Sequence, residues 1–183
     1  GSYFVVVTTG AYSRTYLCDV AARWNTNATG SNLMPEWTNY SGGDTFTAVA
    51  ITDDTVYIGG HQNYVNNPYV GDNVAAGAVP RDGLAALDPR SGATYSWNPT
   101  RERGWGVYGF QITNDGLWIG SDTERLAGGQ YRPRQALLPI AGGTTLPADS
   151  VPSLPGNVVS LGLLQGGSGT TLDRTSVHPM NEN

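Results

Sequence analysis

A small set of aromatic and polar side chains in this chain has types and spacing suited to ligand binding. His61 follows Gly59-Gly60, and Trp105 lies in an Arg-rich segment at residues 101–106. A tryptophan beside arginine in an exposed loop can stack on a sugar ring or a peptide side chain. We therefore predict a ligand-binding surface formed by six residues: His61, Asn63, Tyr64, Arg101, Arg103 and Trp105.

Acid–base chemistry is the alternative for the same histidine. His61 could act as a general base if Asp82 or Asp122 oriented its ring. A loop histidine bonded to backbone is the simpler interpretation, and the Gly-x-Ser-x-Gly motif of a serine nucleophile is absent from the sequence. The glutamates that a paired-carboxylate glycosidase would need fall in turns or loops and are interpreted as solvated charges: Glu36, Glu102 and Glu124. We expect no catalytic residue.

Carboxylates in the turns could bind a hard cation. Ca²⁺ prefers oxygen ligands, and the candidates are Asp53, Asp54 and Asp122. Aspartate is also favoured in turns because it bonds its own backbone, so we expect no cofactor, with Ca²⁺ as the alternative. A zinc site would need nitrogen or sulfur ligands, which are too few here: Cys18, His61 and His178.

Composition argues against nucleic-acid binding and against a membrane-spanning segment. The chain has 183 residues and a net charge of −5, which disfavours nucleic acid because phosphates need a basic face. No apolar run reaches the length of about 18 residues that a membrane span requires. Charged residues make up only 14%, with 25 Gly and 11 Pro, a profile typical of an all-β protein with many tight turns.

The elements that must position these residues are repeated. Residues 107–120 repeat residues 46–59 without a gap. Each copy reads as an alternating strand, a tight turn and a second strand that ends on glycine. A variable loop, a third strand, a turn and a fourth strand follow. Four antiparallel strands per unit predict the blade of a β-propeller.

The predicted strands fill three units, at about residues 1–43, 44–104 and 105–143. The complete middle unit has strands at 46–51, 56–58, 83–87 and 93–97. The last unit has strands at 107–112, 117–119 and 135–138, without a clear fourth. The first lacks its opening strand and supplies 3–7, 17–24 and 33–37. We therefore expect an incomplete propeller of about three four-stranded blades, two of them partial.

Tryptophans divide into packed and exposed ones in this scheme. Trp37 and Trp97 align at one repeat position, which predicts packing between blades. Trp118 replaces Tyr57 at another and is also expected in the core. Trp105 lies between blades and is expected in an exposed loop. The asparagine-rich insertion at residues 60–80 is a second loop where binding is expected.

The remaining chain differs in character. Residues 144–156 read as a Pro/Gly-rich linker, 157–164 as a further strand, and 165–183 as a polar tail. Propellers close with about four to eight blades, so three blades cannot form a ring. We expect the open blades to pair with further blades of a longer polypeptide or with other copies of the chain.

A family resemblance is carried by three segments of the middle unit: Val56-Tyr57-Ile58-Gly59-Gly60, Arg81-Asp82-Gly83-Leu84-Ala85-Ala86-Leu87-Asp88 and Ser96-Trp97-Asn98-Pro99. They resemble the delta-type sixty-residue propeller repeat of large secreted or surface-anchored bacterial proteins, which often carry PKD-type or carbohydrate-binding domains. The resemblance implies an extracellular location and further blades before residue 3. It also implies that Cys18 pairs with a cysteine outside this chain. It supplies no catalytic motif.

Three hypotheses of function follow. The favoured one is a non-enzymatic extracellular module that binds glycan or a cell-surface protein through its loops. The second is a structural subunit of a multi-chain ring or filament, completed by exchange of the strand at 157–164. The third is part of an extracellular enzyme whose active site lies in blades outside this chain.

Overall fold

The computed structural model describes residues 1–11, 16–70, 73–102, 104–140 and 146. All regular structure in these ranges is β-strand, which confirms the predicted all-β class. The described strands form several small antiparallel sheets and do not close into a barrel or a ring. None of the described residues belongs to a helix that could cross a membrane. Arg103 and the predicted strand at 157–164 lie outside the described residues.

Thirteen strands follow one another within the described ranges. In order they are β1 (Tyr3–Val7), β2 (Val20–Asn25), β3 (Trp37–Tyr40), β4 (Phe46–Ile51), β5 (Val56–Gly60), β6 (Tyr64–Val65), β7 (Val79–Pro80), β8 (Leu84–Leu87), β9 (Val107–Thr113), β10 (Gly116–Ser121), β11 (Arg125–Leu126), β12 (Gln130–Tyr131) and β13 (Gln135–Leu138). The first sheet has the order β1-β2-β3, the second β4-β5-β8, and the third β13-β10-β9. Two ribbons, β6-β7 and β11-β12, extend the second and third units.

The predicted strands of the two hairpins are present, whereas the fourth strands differ from expectation. In the second unit the predicted strand at 93–97 is reduced to a bridge between Leu87 and Thr94, extended by the Tyr95 N–H that donates to the Ala86 carbonyl at 2.8 Å. In the first unit the third element is β3, at 37–40 instead of 33–37. Each sheet therefore has three regular strands within the described residues.

One turn fixes how the first and second units correspond. The side chain of Asn25 accepts the N–H of Asn27 at 2.8 Å, and that of Asp88 accepts the N–H of Arg90 at 2.7 Å. These are the Asx turns that Asn and Asp favour. One lies at the end of β2 and the other directly after β8. We therefore take Asn25 and Asp88 as the same repeat position.

Trp37 and Trp97 both pack between sheets, as the sequence predicts. Trp37 is fully buried in the core between the first and second sheets. Trp97 packs against the core between the second and third sheets, where its ring meets Tyr57 edge-on with centroids 5.2 Å apart.

The three sheets stack face to face around two apolar cores, and a third, smaller cluster of Val20, Ala22 and Tyr40 lies on the outer face of the first sheet. Because side chains alternate along a strand, β5 points Val56 and Ile58 to one side and Tyr57 to the other. The first core joins the first and second sheets and includes Val5, Ala21, Trp37, Phe46, Val56, Ile58, Ala85 and Leu87. The second core joins the second and third sheets and includes Ala48, Tyr57, Leu84, Ala86, Val107, Leu117, Ile119, Leu126, Ala136 and Leu138. The middle sheet is thus covered on both faces.

Hydrogen bonds lock the first interface at one turn. The Pro89 carbonyl accepts the Arg23 guanidinium at 2.9 Å and the Trp37 indole N–H at 3.1 Å. The Asn39 amide donates to the Gly92 carbonyl at 3.1 Å. Trp37 is fully buried, so its indole N–H needs this partner.

Trp118 was expected in the core, and that expectation is wrong. It occupies the repeat position of Tyr57, which is fully buried under the third sheet. Trp118 is 38% exposed because no described sheet covers the corresponding face of the third sheet.

A glycine sets how closely the second and third sheets approach. A Cβ on Gly59 would lie 2.8 Å from side-chain atoms of both Val107 and Phe110. Gly120 is its repeat equivalent, and a Cβ there would meet nothing nearer than the Gly109 carbonyl oxygen at 3.9 Å. The same residue type is therefore sterically required at one position and not at the other.

Gly59→Ala is expected to lower the free energy of unfolding by about 1–3 kcal/mol, because the added methyl group overpacks the second core. Gly120→Ala, the matched control, should change it by no more than about 0.5 kcal/mol. Urea denaturation of the two variants at low protein concentration measures both values. Equal destabilisation by the two substitutions would contradict this account of the interface.

Candidate functional site

Two of the predicted binding residues meet at one end of the sheet stack, where β5 ends and β9 begins. His61 follows β5 directly, and Trp105 lies two residues before β9. Their rings stack with centroids 6.3 Å apart and planes inclined by 23°. Trp105 is 80% exposed, so one large aromatic surface remains open to solvent.

His61 is held by backbone and by a carboxylate that the sequence analysis missed. The backbone N–H of His61 donates to the Thr45 carbonyl at 2.8 Å. Its Nδ1 lies 3.3 Å from Asp44 Oδ1, while Asp44 Oδ2 accepts the N–H of Asn63 at 3.3 Å. The carboxylate beside this imidazole is therefore Asp44 instead of Asp82 or Asp122.

The loop that carries Trp105 is anchored by Asp122. The Asp122 carboxylate accepts the backbone N–H of Trp105 and, at 3.1 Å, that of Gly106. Burial alone would raise the pKa of Asp122. These N–H donors and the nearby Arg101 outweigh burial and hold the pKa below its ordinary value. Asp122 is thus a fixed anion that orients the tryptophan from behind.

Arg101 supports this anchor and is not available to a ligand. Only 5% of its surface is exposed. Its Nη2 donates to the Gly60 carbonyl at 3.2 Å, and its Nη1 lies 3.7 Å from Asp122 Oδ1. A Cβ on Gly83 would lie 1.9 Å from Arg101 Nε, so glycine makes room for the guanidinium. The prediction that Arg101 contacts a ligand is corrected to a positioning role.

The repeat explains why these residues meet. When the gapless match between the two copies is continued outward, Asp44 corresponds to Trp105 and His61 corresponds to Asp122. The bond from the His61 N–H to Thr45 recurs as a bond from the Asp122 N–H to the Gly106 carbonyl at 3.3 Å. We call Asp44, His61, Trp105 and Asp122 the end row. Extending the repeat by two positions on each side would have revealed it from sequence.

The asparagine-rich insertion is built around its own side chains. Asn67 is fully buried, donates its amide to the Asn73 carbonyl at 3.1 Å and accepts the N–H of Ala75 at 3.0 Å. Tyr64 lies in β6, half-buried and paired with Pro80. Asn63 is joined to the end row by its N–H bond to Asp44, and Tyr64 follows it in the chain.

The calcium candidates do not converge. Asp53 and Asp54 lie in the turn between β4 and β5, at the strand ends opposite those that border the end row, where Asp122 lies. Asp54 Oδ1 accepts the hydroxyls of Thr52 at 2.9 Å and Thr55 at 3.2 Å. Across the described ranges there is no group of three or more metal-ligating side chains. Cys18 carries a free thiol, and its pairing outside this chain stays a prediction.

A buried acid lies behind the end row. Asp19 is fully buried at φ 55°, just before β2. Burial, and next the charge of Asp44, raise its pKa from the ordinary 3.8 to about 6, although the nearby Gly10 N–H and Thr45 hydroxyl act to lower it. The carboxyl of Asp19 therefore binds a proton more tightly than an ordinary aspartate does.

No protein-family description, curated protein or solved structure gives a match to this chain. What the end row can do follows from its chemistry. The Trp105 indole offers an apolar stacking face, and the His61 imidazole and Asp44 carboxylate offer hydrogen-bonding atoms beside it. This combination suits a ligand with one apolar face and a polar rim.

The raised pKa of Asp19 makes stability depend on pH. Because about 6 in the folded state exceeds 3.8, the folded protein binds this proton more tightly than the unfolded chain. The stabilisation by this proton is complete below the unfolded pKa of 3.8 and is lost as the pH rises through the folded pKa of about 6. The loss is on the order of 2–3 kcal/mol.

Asp19→Asn should remove this dependence, since Asn is neutral and tolerates a positive φ. Urea unfolding of both proteins between roughly pH 4 and pH 8 gives the difference in their free energies of unfolding. That difference should grow in favour of the Asn variant as the pH rises. A difference that does not change with pH would contradict the raised pKa of Asp19.

Proposed function

We propose that this chain is a non-enzymatic binding module whose end row recognises a carbohydrate through Trp105. The observation that carries the proposal is the 80% exposure of an indole whose loop is anchored by a carboxylate. An unanchored exposed tryptophan would lose conformational entropy on binding, whereas an anchored one loses less. Aromatic anchors of this kind dominate the energy of many interfaces.

The polar surroundings favour a neutral sugar. Asp44 lies beside His61 at the end row, and the chain has a net charge of −5. An acidic sugar would meet like charge there, whereas hydroxyl groups can donate to Asp44 and bond the imidazole. The apolar C–H face of a pyranose would lie on Trp105. Arg103, in the same loop, remains a predicted contact.

The wider setting of the module is part of the proposal. The repeated hairpins, and sheets stacked face to face, support a β-propeller completed by further blades, either of a longer polypeptide or of other copies of the chain. The resemblance to delta-type repeats supports a secreted or surface-anchored bacterial protein. A cell-surface protein is the alternative ligand, because Trp105 would serve a peptide side chain equally well.

Trp105→Ala is expected to weaken carbohydrate binding by about tenfold or more, because the variant loses the stacking face. An array of neutral bacterial and plant oligosaccharides first identifies the sugar that the wild-type chain binds. Titration calorimetry with that soluble oligosaccharide then gives the dissociation constants.

Trp118→Ala is the matched control, since Trp118 is also partly exposed but lies away from the end row, on the sheet face. Its dissociation constant should equal that of the wild type. Unchanged affinity in Trp105→Ala, or an equal loss in both variants, would reject the end row as the sugar site.

A further inference from the structure

The outer face of the third sheet is largely apolar and uncovered by any described residue. Gln111, Trp118 and Leu137 are directly paired across β9, β10 and β13 and therefore share this face. A groove of about 260 Å³ lies over it, with Gly109, Gly120 and Gln135 also in its lining. We call these six residues the tail face.

The second sheet shows what such a face is built to receive. There the residues that correspond to Trp118 and Leu137 are Tyr57 and Ala86, and both are fully buried. Gly59 lies directly under side chains of the next sheet. Gly120 repeats that glycine in the tail face, where nothing described approaches it.

The outer face of the first sheet is the opposite kind of surface, and only part of it is exposed. Val20, Ala22 and Tyr40 are buried there in a small cluster, against which Leu17 and Trp24 pack. Phe4 pairs with Trp24 across β1 and β2, and Val56 pairs with Leu87 across β5 and β8. Phe4 and Trp24 therefore occupy the repeat positions of Val56 and Leu87. Phe4 is 46% exposed and Val6 is 38% exposed. The rings of Phe4 and Trp24 stack with centroids 5.6 Å apart and planes inclined by 10°. We call Phe4, Val6 and Trp24 the head face.

The exposed parts of the head face and the tail face are complementary, because they are the same two types of face that pack together inside the molecule. Each sheet has two faces, one with the residue equivalent to Tyr57 and one with the residue equivalent to Val56. In both internal interfaces, the Tyr57-type face of one sheet packs on the Val56-type face of the next sheet. The tail face is the first type and the head face is the second. Neither set contains a charged side chain, so contact between them would desolvate no ion.

We propose that the tail face docks on the head face of a second copy of this chain, which continues the stack from one molecule to the next. Such a contact joins two different surfaces, so each bound molecule still offers a free face to the next. The assembly therefore grows into a closed ring or an open filament. The pairing is independent of the carbohydrate proposal, because the end row lies at strand ends and the two docking faces lie across the strands.

Sedimentation equilibrium of the full chain, from roughly 1 to 200 µM, tests the association. We expect the apparent mass to rise from that of one chain, 19.4 kDa, to two or more. Trp118→Arg in the tail face and Phe4→Arg in the head face should each hold the protein at one chain mass. A wild-type chain that stays monomeric throughout would overturn the proposal.

Mixing the two variants identifies which faces pair. Phe4→Arg keeps an intact tail face and Trp118→Arg keeps an intact head face, so an equimolar mixture should form a heterodimer with one chain of each. A tail face that paired with itself would instead leave Phe4→Arg dimeric alone. That result, or a mixture that remains monomeric, would overturn head-to-tail docking.

Two controls keep the result interpretable. Circular dichroism and thermal unfolding show whether each Arg variant is folded, and Gln111→Arg, at an exposed position of the tail face, replaces Trp118→Arg if that variant is not. Trp105→Ala should associate like the wild type. Loss of sugar binding and loss of association are therefore separate readouts, and either proposal can fail alone.

Discussion

Close packing of one sheet face on the next is the constraint on which the rest of this structure depends. Alternation along β5 gives the second sheet an apolar surface on each side, so this sheet is stable only when both sides are covered. Gly59 shows how closely the covering sheet comes, since its missing side chain leaves the space that Val107 and Phe110 occupy. The repeat therefore specifies an interface as well as a sheet.

The end row is a consequence of that interface. Stacking brings the end of β5 beside the start of β9, which places His61 of one repeat against Trp105 of the next. The carboxylate of Asp122 can then accept two backbone N–H groups of the loop, with Arg101 behind it. A binding surface is thus assembled between repeats, where neither repeat alone carries it.

The sequence predicted the hairpins and the exposed tryptophan because both depend on local pattern. Alternation and turn chemistry specify β4, β5, β9 and β10, and a tryptophan between strands is expected to be exposed. The burial of Arg101 was not predictable, since it depends on the space left by Gly83 and on the Gly60 carbonyl, both distant in sequence. Asp44 could have been predicted from its alignment with Trp105, but only by extending the repeat beyond residues 46–59 and 107–120.

The same repeat separates residues that maintain the stack from residues that differentiate it. Core positions stay apolar between copies, as Val56 and Leu117 do. At the strand ends the copies diverge, with Asp44 where the next repeat has Trp105. Packing tolerates this divergence because end-row side chains project from loops and fill no core. If stacking continues into a second molecule, each added repeat contributes two further end-row positions, so binding specificity can change without any change to the interface that builds the stack.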